Sequence, residues 1–103
     1  MAKEGYIVGK AGRRKGDQFE RSVCADQERI GRVAFRVRQG GGEPVDVVAL
    51  EPGRMFFIQC KSGKPYMLPA EREAFVLKAR LVDAVPLMAF REGREIRYRK
   101  VDA

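Results

Sequence analysis

Apolar positions recur along this chain with two different periods, and the changes of period mark out its elements. Over residues 16–30, Phe19, Val23 and Ile30 fall near one face of a 3.6-residue repeat with charged residues around the remainder. Gly31 follows as a stop, so the spacing predicts a first helix over 16–30. Residues 33–38 set Val33, Phe35 and Val37 against Ala34, Arg36 and Arg38, the alternation of a half-buried strand. Gly40, Gly41 and Gly42 then interrupt any regular element and predict a turn, or a backbone that moves over a ligand. Residues 45–50 and 55–61 are apolar runs joined by Glu51-Pro52-Gly53-Arg54, which predicts a central antiparallel hairpin.

After a loop at 62–68, Pro69 at a first helical position with Glu71 and Glu73 close behind announces a second helix running to about Ala84, its acidic start matched to the helix dipole. Ala74, Leu77 and Leu81 form one apolar stripe on it, and Phe75, Ala79 and Val82 a second, nearly opposed stripe. The core of one chain accounts for one stripe. Residues 86–90 and 95–99 read as short strands around a turn at Glu92-Gly93-Arg94. Residues 1–12, rich in glycine and poor in apolar groups, read as a mobile arm, leaving one domain over 13–103.

Composition narrows the chemistry. The 103 residues suffice for one core, and a formal charge of +7, from 21 Lys and Arg against 14 Asp and Glu, favours a polyanionic partner, nucleic acid first. There is no histidine, and Cys24 and Cys60 are the only cysteines, which excludes His-dependent catalysis and the usual zinc sites and predicts two reduced, packed thiols. No signal-peptide pattern or membrane-length apolar run is present, so a cytoplasmic location is expected.

The chemistry concentrates in the hairpin. Asp46 shares a strand face with Val48 and Leu50, where a carboxylate needs compensation for lost solvation. Gln59 and Lys61, two apart, project from one face of the next strand, with Phe56, Ile58 and Cys60 on the other. A carboxylate and an amide oxygen suit a hard divalent cation, and a lysine beside them can orient water near a phosphate. The plainer readings are an Asp46 paired with an arginine, a Gln59 that hydrogen-bonds locally and a solvated Lys61.

Val45-Asp46 with Gln59-Cys60-Lys61 resembles the signature of the PD-(D/E)XK nuclease superfamily. Arg14-Lys15-Gly16-Asp17-Gln18-Phe19-Glu20-Arg21 resembles the opening helix of archaeal-type Holliday junction resolvases, and the later elements follow in matching order over residues 13–99. The resemblance implies a restriction-endonuclease-like α/β fold, a mixed central sheet flanked by helices, and a structure-selective endonuclease that resolves four-way junctions by paired symmetric nicks. It implies Glu20, Asp46 and Gln59 as ligands of Mg2+, with Mn2+ able to substitute, Lys61 as the catalytic lysine, and Arg21 and Arg38 as phosphate contacts. The family usually has an acid where this chain has Gln59, so weaker metal binding is expected. It often has a serine where this chain has Gly40, Gly41 and Gly42.

Arg13, Arg14, Lys15 and Arg36 join Arg21 and Arg38 as expected DNA contacts. The resolvases act as two-fold dimers, and Phe75, Ala79 and Val82 are expected to pack across the homodimer axis. The rival readings are a nicking or restriction-type nuclease of the same superfamily and a catalytically weakened junction-binding module.

Overall fold

The computed structural model describes the backbone of residues 3–37 and 44–102, and the side chains of residues 16–37 and 44–102. Two helices and five strands follow in the order α1 (Lys3–Arg29), β1 (Val33–Arg36), β2 (Val47–Glu51), β3 (Arg54–Lys61), α2 (Pro69–Leu81), β4 (Val85–Glu92) and β5 (Glu95–Lys100). The strands form one sheet in the order β1-β2-β3-β4-β5, antiparallel except for β3 and β4, which run parallel. A parallel pair needs a crossover, and α2 supplies it. The expected mixed sheet flanked by helices is the fold observed.

Each connection has a local cause. Gly53 at φ 73° and Gly93 at φ 65° take the left-handed conformation that the β2–β3 and β4–β5 turns require. Pro69 opens α2, where a missing N–H costs nothing, and the Glu71 carboxylate accepts a hydrogen bond from the Leu68 backbone N–H at 3.2 Å. Lys78 and Arg80 lie in its last turn, where cations favour the helix dipole.

The sheet carries a separate core on each face. On one, Phe19 and Val23 of α1 pack with Val47, Ala49, Phe56, Ile58 and Ala89; on the other, Phe75 and Val76 of α2 pack with Val45, Met67, Met88 and Val101. Side chains as fully enclosed as Ile58 and Phe75 each contribute about 1.5–3 kcal/mol by leaving water. Cys60 packs against the α1 core, and Phe57, three residues earlier and so on the opposite face of the strand, against the α2 core. The two faces of β3 therefore address different helices.

Four expectations are corrected. Helix α1 is assigned from Lys3, well before residue 16, and Ile30 lies outside it and exposed. The third core-facing position of α1 is Gln27, 1% exposed, whose Oε1 accepts a 2.7 Å hydrogen bond from Arg32. In β1 the apolar side chains Val33 and Phe35 face solvent while Ala34 packs inward, because α1 covers only the Ala34 face. The stripes of α2 are assigned the other way round: Phe75 and Ala79 are fully buried inside the chain, Val82 is half exposed, and Leu77 and Leu81 point outward. Phe75 and Ala79 therefore cannot form a surface between two copies. The arm expected over residues 1–12 falls on positions whose side chains lie outside those described, apart from the helical backbone that begins at Lys3.

Candidate active site

Asp46 stands immediately before β2, its backbone bonded on both sides: its C=O accepts from the Val37 N–H at 2.8 Å and its N–H donates to the Ile58 C=O at 2.9 Å. Its side chain is turned toward the next strand. Oδ2 accepts a 2.8 Å hydrogen bond from the backbone N–H of Cys60, the central residue of Gln59-Cys60-Lys61. The predicted carboxylate is thus clamped to the backbone of the predicted β3 motif, and the contact needs no particular rotamer of Cys60.

Glu20 reaches this region from α1, one residue beyond the core residue Phe19. Burial raises its pKa above the ordinary value, and the negative charge of Asp46 raises it further, against the lowering effect of Arg36. Two carboxylates held in one another's field form a site short of positive charge. Arg36 on β1 partly answers it, donating to Glu20 Oε1 from Nε at 3.2 Å and from Nη2 at 3.1 Å, and to Asp17 Oδ1 at 2.8 Å. Arg36, expected on DNA, is here engaged with carboxylates.

Gln59 and Lys61 face the α2 layer, and the residue that meets them there is Glu71. Its Oε2 accepts from Gln59 Nε2 at 2.9 Å and from Lys61 Nζ at 3.0 Å. Burial works to raise the Glu71 pKa, but the hydrogen bond and charge of Lys61, with the bonds from Leu68 and Gln59, outweigh it and hold the carboxyl below its ordinary value. Gln59 itself is 7% exposed, and its Oε1 is enclosed without a hydrogen-bond partner. The helix pattern exposed Glu71 only as an acid suited to an N-terminus. The further signal was its proximity in sequence to Lys61 across a short loop.

The expected four-residue site is therefore organised in two parts, Glu20 with Asp46 and Gln59 with Lys61, approached from opposite helical layers and joined by the Asp46–Cys60 hydrogen bond. Arg21 is exposed on α1; the side chains of Arg13, Arg14, Lys15 and Arg38, and the glycines at 40–42, lie outside the described residues. Both thiols are pushed up by burial, Cys60 far more than Cys24, which removes them as nucleophiles at neutral pH.

Comparison with solved structures decides what this arrangement resembles. The Hjc Holliday junction resolvase of the archaeal hyperthermophile Archaeoglobus fulgidus matches with a TM-score of 0.71 and 27% identity, over 82% of this chain and 75% of the resolvase. The chain resembles the archaeal-type Holliday junction resolvases. No family model matches it, and no curated protein does. The likeness to a resolvase read from residues 13–99 is the likeness that the folded chain shows, despite the low identity.

The donor set bears on the expected metal. Among the described residues no three His, Cys, Asp or Glu side chains gather into a cage for an ion. Mg2+ is commonly held by one or two carboxylates, with water and substrate phosphate completing its shell. Glu20 and Asp46 fit that pattern; Gln59 contributes an unpartnered acceptor oxygen, held on the Glu71 side.

Proposed function

We propose that this protein is an endonuclease that cuts four-way DNA junctions. The observation that carries the reading is the Asp46 carboxylate, just ahead of β2, held by the backbone N–H of Cys60, the residue between Gln59 and Lys61 in sequence, in a fold similar to that of a junction resolvase. Chemically, the chain offers a hard oxygen pair, Glu20 and Asp46, and an ammonium, Lys61, with both thiols protonated and no histidine. That set suits attack by water on a phosphodiester and not a covalent enzyme intermediate. A divalent cation held by Glu20 and Asp46 would supply charge to the phosphate and acidify water. The roles of the chain's own groups are then distinct: Asp46 holds its carboxylate at a fixed place, Glu20 adds charge from α1, and Lys61 directs an N–H toward water or phosphate oxygen.

The substrate reading draws on charge and symmetry. The formal charge of +7 favours DNA backbone contacts, with binding that weakens steeply as salt rises. Paired nicks require two sites on one surface, so a homodimer belongs to the proposal. Its apolar face is not the predicted Phe75 and Ala79 but the exposed Leu77 and Leu81 of α2 with Val82 just beyond it, the last two lining a cleft of about 420 Å³ together with Val37, Val45, Val48 and Phe57. Leu81, 76% exposed, carries no burden in the monomer, so Leu81→Glu should leave the fold intact and halve the mass seen by light scattering.

Incubation of a synthetic immobile junction with Mg2+ or Mn2+, followed by mapping of breaks on all four strands, tests the reading. Symmetric nicks in opposing strands are expected, with the separate duplex arms left uncut. Equal cutting of the linear arms would favour a nicking or restriction-type enzyme, and binding without cutting a junction-binding module.

A further inference from the structure

We propose that Glu71 is a positioning residue of this site, supplying the negative charge that strand β3 lacks and fixing the orientation of both Gln59 and Lys61. The inference rests on the phosphodiester-cutting reading, and deepens it by adding a residue from α2. One oxygen of Glu71 receives two donors, Gln59 Nε2 at 2.9 Å and Lys61 Nζ at 3.0 Å. The other receives the Leu68 N–H. A carboxylate only accepts, so the Gln59 amide must turn Nε2 toward it, which makes Oε1 the atom presented elsewhere. That oxygen is enclosed and lacks a hydrogen-bond partner, a cost that would favour turning the amide over, so the bond to Glu71 is what holds it in this orientation. The platform is rigid: Phe75, Val76 and Ala79, on the same helix, are buried in the core.

A merely structural Glu71 would serve only to cap α2. Glu71→Gln separates the two roles, because its amide oxygen still accepts from Leu68 while the charge is lost. In the 15N-labelled, metal-free protein, E71Q should move the Gln59 side-chain amide resonances and speed their exchange with solvent, leaving the Leu68 amide in place. On the synthetic junction, kcat should fall about 10-fold or more with KM little changed, the result of misplacing a group that acts after binding. Adding Gln59→Glu to E71Q returns a carboxylate to β3 beside Lys61 and should recover most of the lost rate. Unmoved Gln59 resonances overturn the proposal whatever the cutting rate, as does a double variant no faster than E71Q. Should the wild-type protein cut no junction, the functional reading falls, and the Gln59 resonances alone decide whether Glu71 positions that amide.

Discussion

Glu20 and Glu71 meet the same sheet from its two sides and are held in opposite electrostatic states. Glu20 shares the Arg36 guanidinium with Asp17 and lies in the field of Asp46, so burial and like charge raise its pKa. Glu71 gathers three donors, from Gln59, Lys61 and Leu68, and its pKa is lowered. A carboxylate whose charge is disfavoured in the folded chain has free energy to gain from a cation, whereas one already satisfied gains little. Under the proposed function the two sides would therefore do different work: cation binding on the α1 side, and alignment of an ammonium and an amide on the α2 side.

The largest effect should come from the residue that joins the two sides. Asp46→Asn keeps an oxygen able to accept from Cys60 N–H but removes the charge, so the sheet should survive while junction cutting falls by about 100-fold or more. Glu20 should then titrate closer to an ordinary glutamate, which carboxyl-resolved NMR would read directly. A variant that cuts at the wild-type rate would remove Asp46 from the site.

Lys61→Ala comes next, with an expected loss in cutting of about 100-fold and little change in junction binding. It also tests the α2 side without DNA. Removing the ammonium takes away the strongest influence that lowers Glu71, so the Glu71 pKa should rise in the folded protein. A Glu71 titration unchanged by Lys61→Ala would show that the pair seen at 3.0 Å carries no weight in solution. Glu20→Gln should cost less, about 10-fold in cutting, because Asp46 remains.

How much of this was legible in the sequence follows from which interactions are local. The β2–β3 hairpin, the start of α2 and the β4–β5 turn depend on residues a few positions apart, Gly53, Pro69 and Gly93, and each was read correctly. That Asp46 lies beside the Gln59-Cys60-Lys61 strand follows from the local hairpin and the motif, whereas its bond to the Cys60 backbone, rather than a place on the face of Gln59 and Lys61, follows from its position just ahead of β2. What failed depends on partners distant in sequence. Nothing local states which stripe of α2 faces inward, and Phe75 won over Leu77 because Met88 of β4, with Val45 and Val101 just outside the strands, forms an apolar cluster that takes an aromatic ring. Val33 and Phe35 alternate as a buried face should, yet they lie on the face of the edge strand β1 opposite the one α1 covers. Glu71 escaped notice because its helix-capping position explained it without reference to Lys61.

The smallest effect is also the one that most directly opposes the two glutamates. Glu20, with a folded pKa above the ordinary 4.5, binds its proton more tightly in the folded chain; its charged form weakens the fold as pH rises from 4.5 through that raised value. Glu71, with a folded pKa below 4.5, contributes stability that is fully present above 4.5 and is lost as pH falls through its lowered value. On acidification the first glutamate therefore gains stability for the fold while the second loses it, and in the wild-type protein the two trends partly cancel. Glu20→Gln removes the gain, so its melting temperature should fall more steeply than the wild type's as pH drops from 6 toward 4. Glu71→Gln removes the loss, so its curve should be shallower over the acidic range. Both carboxylates are partly open to water, which screens the effect to a few degrees at most. Added Mg2+ should sharpen the contrast on one side only, raising the melting temperature of the wild type at neutral pH, doing so less in Glu20→Gln, and affecting Glu71→Gln nearly as much as the wild type. An Mg2+ response lost in Glu71→Gln and kept in Glu20→Gln would reverse the assignment of the two sides.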